Sequence, residues 1–101
     1  MASPNLPFAR GSLPAGQLTM STEDFGHYVI AQLNDGKYHG VSVLSPEGIA
    51  KLYHPAVQMS ATHDFYAMGW EVQEYQDVHV IGHNGAVSGF TTGMFLVPEK
   101  N

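Results

Sequence analysis

Near the end of this 101-residue chain stand His83, Asn84 and Gly85, followed by Ala86. A histidine next to glycine at a strand end can place an imidazole on a cleft rim, where it exchanges protons near neutral pH. The glycine lets a ligand approach the backbone closely. Asn84 adds a side chain that both donates and accepts hydrogen bonds. From these three residues alone, a structural histidine in a turn is the commoner reading, so the surroundings must decide.

Other groups with chemical potential are weaker. Ser88 follows Val87, and "GAVSGF" lacks the Gly-x-Ser-x-Gly pattern of a nucleophile elbow, so a hydrogen-bonding turn serine is expected. His79 and His83 lie four apart, with His63-Asp64 upstream, but no His-Glu-x-x-His or comparable ligand spacing exists, and neither metal nor cofactor is expected. Glu71, Glu74 and Asp77 read as a solvated strand end. Tyr66, Trp70, Phe90 and Phe95 could form an aromatic platform, although their spacing favours core packing.

Two helices and a set of strands must position these groups. Ser21 is a candidate N-cap with Asp24 three residues on, and Phe25, Tyr28, Val29 and Leu33 form one apolar stripe that Gly36 should end. Ser45 caps a second helix with Pro46 at its first position, Ile49, Leu52 and Tyr53 on its buried side, and Pro55 as its stop. A polar loop follows. "FYAMGWEVQEY" then alternates as a single strand with Tyr66, Met68, Trp70 and Val72 on one face. "VHVIGHNG" reads as a second strand ending in a turn. "GFTTGMFLVP" reads as a third, apolar on both faces towards its end, as an interior strand would be. The order predicts an α+β fold, an antiparallel sheet flanked by helices. Residues 1–15 hold Pro4, Pro7 and Pro14 and are expected to be an extended lead-in.

Bulk composition narrows the function classes. The chain allows one domain at most. It is 44% hydrophobic and 13% charged, too apolar for a disordered segment. A net charge of −5 with four basic residues argues against a nucleic-acid surface. The lack of cysteine removes disulfides, thiolate metal sites and cysteine nucleophiles. No apolar run approaches the roughly 20 residues that span a bilayer, and "MASPNLPFAR" has no basic-then-apolar signal pattern. Location therefore stays open.

"SLPAGQLTMSTEDFGHYVIAQLNDGKYHGVSVLSPEGIAKLYHP", then "YAMGWEV", then "GHNGAVSGFTTGMFLVPEKN" occur in one order. This order resembles the C-terminal part of the serine β-lactamase and penicillin-binding-protein-like family, the branch with class C β-lactamases, D-amino-acid peptidases and esterases. The likeness begins at about Pro14, dividing a lead-in, residues 1–13, from a hydrolase-like part, residues 14–101. It implies that His83 occupies the Lys/His place of the third family motif and helps set the protonation of the catalytic network. It implies that Asn84 faces substrate, that Gly85 keeps the strand edge open, and that the Ala86 backbone N–H is one of two oxyanion-hole donors. Histidine in place of lysine leans toward the peptidase and esterase relatives.

Three departures shape the expectation. No Ser-x-x-Lys exists here: Asn34, Gly48 and Val97 precede Lys37, Lys51 and Lys100 by three residues. Tyr-x-Asn is absent too, because Ile30, Gly40, Pro55, Met68 and Asp77 follow the five tyrosines at the second position. The strand and terminal helix that follow "VPEK" in the family are also missing. The chain therefore reads as a fragment of a serine hydrolase, an incomplete β-lactamase/transpeptidase-like fold that is inactive alone. The full parent would hydrolyse amide, ester or β-lactam bonds through an acyl-serine, and such relatives are often exported to the cell envelope. Expected partners are the N-terminal remainder of the domain or a second copy of the chain, with a small peptide, ester or β-lactam as the parent's substrate. A different reading is a non-catalytic truncated or interaction module that pairs with another chain. A third is a small ligand-binding domain that keeps the cleft wall. An unpaired apolar strand edge should make the isolated chain dimerise, swap strands or aggregate.

Overall fold

A computed structural model describes residues 10–59, 64–87 and 89–100. In chain order they form a 3-10 turn (Arg10–Ser12), α1 (Leu13–Gly16), α2 (Thr22–Leu33), β1 (Lys37–Tyr38), β2 (Val41–Ser42), α3 (Pro46–Tyr53), β3 (Val57–Gln58), β4 (Asp64–Tyr66), β5 (Glu71–Tyr75), β6 (Val78–Val87), β7 (Phe90–Leu96) and a closing 3-10 turn (Pro98–Lys100). Residues 1–9, with Pro4 and Pro7, lie outside the described residues. The described part of the expected lead-in is wound into the 3-10 turn and α1 instead of extended.

The helices start where their chemistry dictates. Ser21 sits in extended backbone and its Oγ accepts the Asp24 N–H at 3.1 Å. The same hydroxyl donates to Asp24 Oδ2 at 2.7 Å. Ser45 accepts the Gly48 N–H at 3.1 Å, and Pro46 occupies the first turn where its missing N–H costs nothing. α2 stops at Asn34, where Gly36 turns left-handed (φ 79°) and donates to Ala31 O at 2.9 Å. A side chain at Gly36 would collide with the Leu44 backbone, so glycine is needed there twice over.

The sheet is a five-stranded antiparallel meander, β3-β4-β5-β6-β7, and β1-β2 is a separate hairpin. Its register places Phe65, Val72, Ile81 and Leu96 in one cross-strand row. Val72, Ile81 and Leu96 join Ala67 and Trp70 in the core, with Phe65 of β4, Val29 and Leu33 of α2, and Leu52 and Tyr53 of α3 packed against them. Trp70 is 4% exposed, between a stacked Tyr28 ring and an edge-on Tyr53 ring. The Tyr53 hydroxyl donates to Gln32 Oε1 at 2.6 Å, fastening α3 to α2. The α+β architecture is thus as expected: an antiparallel sheet with helices on one face.

Four local expectations need correction. The run Phe65 to Tyr75 is two strands, not one. Gly69 adopts φ 79° and Ala67 N–H donates to Trp70 O at 2.7 Å, so the chain reverses between β4 and β5. The reversal shifts the phase of the alternation: Trp70 and Val72 are buried while Met68 and Tyr66 are exposed. The loop expected before it contributes β3, which pairs with β4. The strand expected to be interior, β7, is an edge of the sheet. Finally, Phe90 (59% exposed) and Phe95 (60% exposed) are not core residues, because no layer among the described residues covers them.

Candidate active site

His83, Asn84 and Gly85 do not form a turn. They lie within the ten-residue β6, paired with Met94, Gly93 and Thr92 of β7. Valine, isoleucine and the alternation of β6 carry the strand through both glycines, because β7 supplies a continuous partner on one side.

On the other side the partner runs out. β5 begins at Glu71, opposite Gly82, so β6 projects past it from His83 to Val87. The Tyr75↔Val78 pair closes a two-residue hairpin whose loop residues, Gln76 and Asp77, have φ 48° and 64°, the primed turn that matches strand twist. Residues flanking such a loop exchange both backbone hydrogen bonds, and this pairing type recurs at every second residue. Even-numbered residues of β6 therefore direct N–H and C=O toward β5, and odd-numbered ones toward β7. Beyond Gly82, the N–H groups of Asn84 and Ala86 point to the side where β5 has stopped. The odd-numbered His79 agrees with this phase: past the end of β7, its N–H donates to Glu99 Oε1 at 3.4 Å.

The imidazole of His83 bridges this open edge. Its Nδ1 lies 2.5 Å from Asn84 O, and its Nε2 lies 3.0 Å from the Tyr66 hydroxyl at the end of β4. The rings meet edge to face, 5.9 Å between centroids. His83 is half-buried, whereas Asn84, Gly85 and Ala86 are exposed. Asn84 Oδ1 comes within 3.2 Å of where a Cβ on Gly93 would sit, placing the carboxamide beside that glycine. Asn84, Gly85, Ala86, Thr91 and Thr92 line an open surface depression. Chemically, the arrangement offers a hydrogen-bonded imidazole, a carboxamide and an outward backbone donor within four consecutive residues.

Tyr66 is the member that sequence reading misassigned to the core. Its signal was the phase of the alternation, which the Gly69 turn inverts. The two histidines considered together as ligands part company: His79 bonds Glu99 through Nδ1 at 2.7 Å, while His83 bonds Tyr66. The hydrogen bond from His79 holds the Glu99 carboxyl below its ordinary range. Among the described residues, no three His, Asp or Glu side chains gather as a metal site. His63 and Ser88 lie outside the described residues. A second cavity, of about 470 Å³, is lined by Tyr53, His54, His79 and Glu99 among others, at the far end of β6 from His83. Across the described residues, no helix is long and apolar enough to cross a membrane.

No family model and no solved structure matches the chain. It is similar to an unguisins hydrolase of Aspergillus campestris (strain IBT 28561), 31% identical over 91 residues that cover 84% of this chain. The chain spans 16% of that relative's length. This similarity supports a hydrolase family for the chain.

Proposed function

We propose that this chain forms one wall of the acyl-binding cleft of a β-lactamase-like serine hydrolase, with the nucleophile supplied by another polypeptide segment. The observation that carries this reading is the overhang of β6, which directs the Ala86 N–H out of the sheet three residues from His83. In the reaction, a serine oxygen adds to the carbonyl carbon of an amide, ester or β-lactam, and the carbonyl oxygen gains the negative charge. The Ala86 N–H donates to that oxyanion, a contact worth about 3 kcal/mol in comparable sites. Collapse breaks the C–N or C–O bond, and the leaving amine (still tethered in an opened β-lactam) or alcohol takes up the proton that the serine gave up. The acyl-serine that remains is hydrolysed by water. His83 helps set the protonation of the network, Asn84 contacts the substrate, and Gly85 keeps the wall open.

The test joins this chain to a separately produced segment bearing Ser-x-x-Lys and Tyr-x-Asn, sought in the DNA flanking this reading frame. The mixture is assayed on ester, amide and β-lactam substrates. Unguisins join the panel, since the relative is named for hydrolysing them. Hydrolysis that requires both chains and falls at least about tenfold in His83→Ala supports the reading. Flanking DNA without either motif, together with no covalent acylation of the mixture, overturns it.

A second reading has its own support. The uncharged edge of β7, with Phe90 and Phe95 exposed, suits a module whose role is to pair with another chain without catalysis. Binding of the N-terminal segment with no hydrolysis of any substrate favours that reading.

A further inference from the structure

The geometry points to Tyr66 as a positioning residue that holds His83 in a single tautomer and braces the strand overhang carrying the Ala86 N–H. This deepens the hydrolase reading above and rests on it for its catalytic meaning, although the structural claim stands alone.

Both ring nitrogens of His83 are engaged. Asn84 O carries lone pairs only, so the nitrogen 2.5 Å from it, Nδ1, must hold the proton. In the neutral ring, Nε2 is then the lone-pair nitrogen, and it accepts from the Tyr66 hydroxyl at 3.0 Å. Which ring nitrogen is protonated is set by the bonds that both nitrogens make. Here they agree on one form: Nδ1–H donating, Nε2 accepting. If the ring gains a second proton, the Tyr66 oxygen can accept from Nε2–H, so the same contact serves both charge states.

The contact also replaces missing sheet structure. β5 begins only at Glu71, opposite Gly82, and past that point β6 has β7 alone as a strand partner among the described residues. Tyr66 reaches across from β4 to His83, and His83 ties the Asn84 carbonyl, which faces the same open side. The chain Tyr66–His83–Asn84 O thus spans the gap that a longer β5 would fill. It sits two residues from the Ala86 N–H, so the direction of that donor depends on it.

The experiment is long-range ¹H–¹⁵N correlation NMR of His83 in the full chain, followed from neutral to mildly alkaline pH until the ring signals stop moving, in the original protein and in Tyr66→Phe, with amide spectra as a fold check. The original protein should show one protonated and one unprotonated ring nitrogen, the protonated one being Nδ1. Tyr66→Phe, keeping the ring but losing the hydroxyl, should move the two nitrogen signals toward an average of tautomers. An Nε2–H tautomer in the original protein overturns the proposal, even if the variant fails to fold. Unchanged nitrogen shifts in a folded Tyr66→Phe overturn it as well. A tautomer that depends on Tyr66, in a protein that never yields hydrolysis with any partner segment, supports the positioning role while the hydrolase reading falls.

Discussion

Phe95 lies across Gly82. The two are cross-strand partners, and a Cβ built on Gly82 would come 2.5 Å from Phe95 Cδ1 and 2.5 Å from Met94 O. An exposed aromatic ring thus covers a glycine on the strand that bears the candidate site, an arrangement that pins register where a glycine would loosen it. Gly82→Ala must displace both the ring and a backbone carbonyl. We expect a loss of about 1–3 kcal/mol, read as a lowered urea midpoint with an unchanged slope.

The helix starts offer a second measurement. Ser21 and Ser45 each satisfy one N–H that helix geometry leaves without a partner. Ser21→Ala and Ser45→Ala should each cost about 1 kcal/mol, and the double variant should lose close to the sum because the two caps are on separate helices. A loss below about 0.3 kcal/mol for either would show that its cap is not formed in solution.

Tyr53 provides a pH signature. Burial first, then the charges of Tyr28 and Asp35, push its phenol up to about 12, and burial also raises Tyr28. The folded state therefore keeps the proton more tightly than the unfolded chain. The resulting stability is complete below the unfolded pKa of about 10 and is lost as pH rises toward 12. A phenolate absorbance titration should show late-ionising tyrosine, and Tyr53→Phe should remove its latest component and flatten the alkaline decline in stability.

Glu99 works in the opposite sense. The hydrogen bond from His79 lowers its carboxyl pKa, so its contribution is present above the unfolded value and disappears as pH falls through the folded one. Both side chains are largely exposed, so the effect should be small and salt-sensitive. Glu99→Gln should make the acid limb of the stability curve shallower and leave the alkaline limb unchanged.

The free edge of β7 predicts association. Its seven residues contain no lysine or proline, the usual guards of a strand edge. Sedimentation should detect dimers or larger species at micromolar concentration, and Thr91→Lys should return the chain to a monomer. A monomer before substitution, with sharp amide dispersion, counts against an adhesive edge.

Much of the helical half was legible because its signals are local. Ser21, Ser45, Pro46 and Pro55 act within one turn of their own position, and the stripe from Val29 to Leu33 needs only a period. The sheet was harder. Tyr66, Met68, Trp70 and Val72 keep a perfect alternation straight through the Gly69 reversal, so the pattern hides the turn. His83-Asn84-Gly85 looked like a turn because two of its residue types favour turns, while the deciding influence was pairing with Met94, Gly93 and Thr92 across the sheet. The Tyr66–His83 bond joins residues whose nearness depends on three strands in register, which no short window of sequence contains.

Every strand of the large sheet pairs with its neighbour in sequence. No long loop has to close before the first pairing forms, and primed two-residue turns such as Gln76-Asp77 preset the geometry of return. Low contact order of this kind goes with rapid assembly. The sheet can therefore zip outward from its central hairpin, β5-β6, with the helices docking afterwards on a face already made. A polypeptide built this way would have the His83 strand in place early, before the helices settle on the sheet.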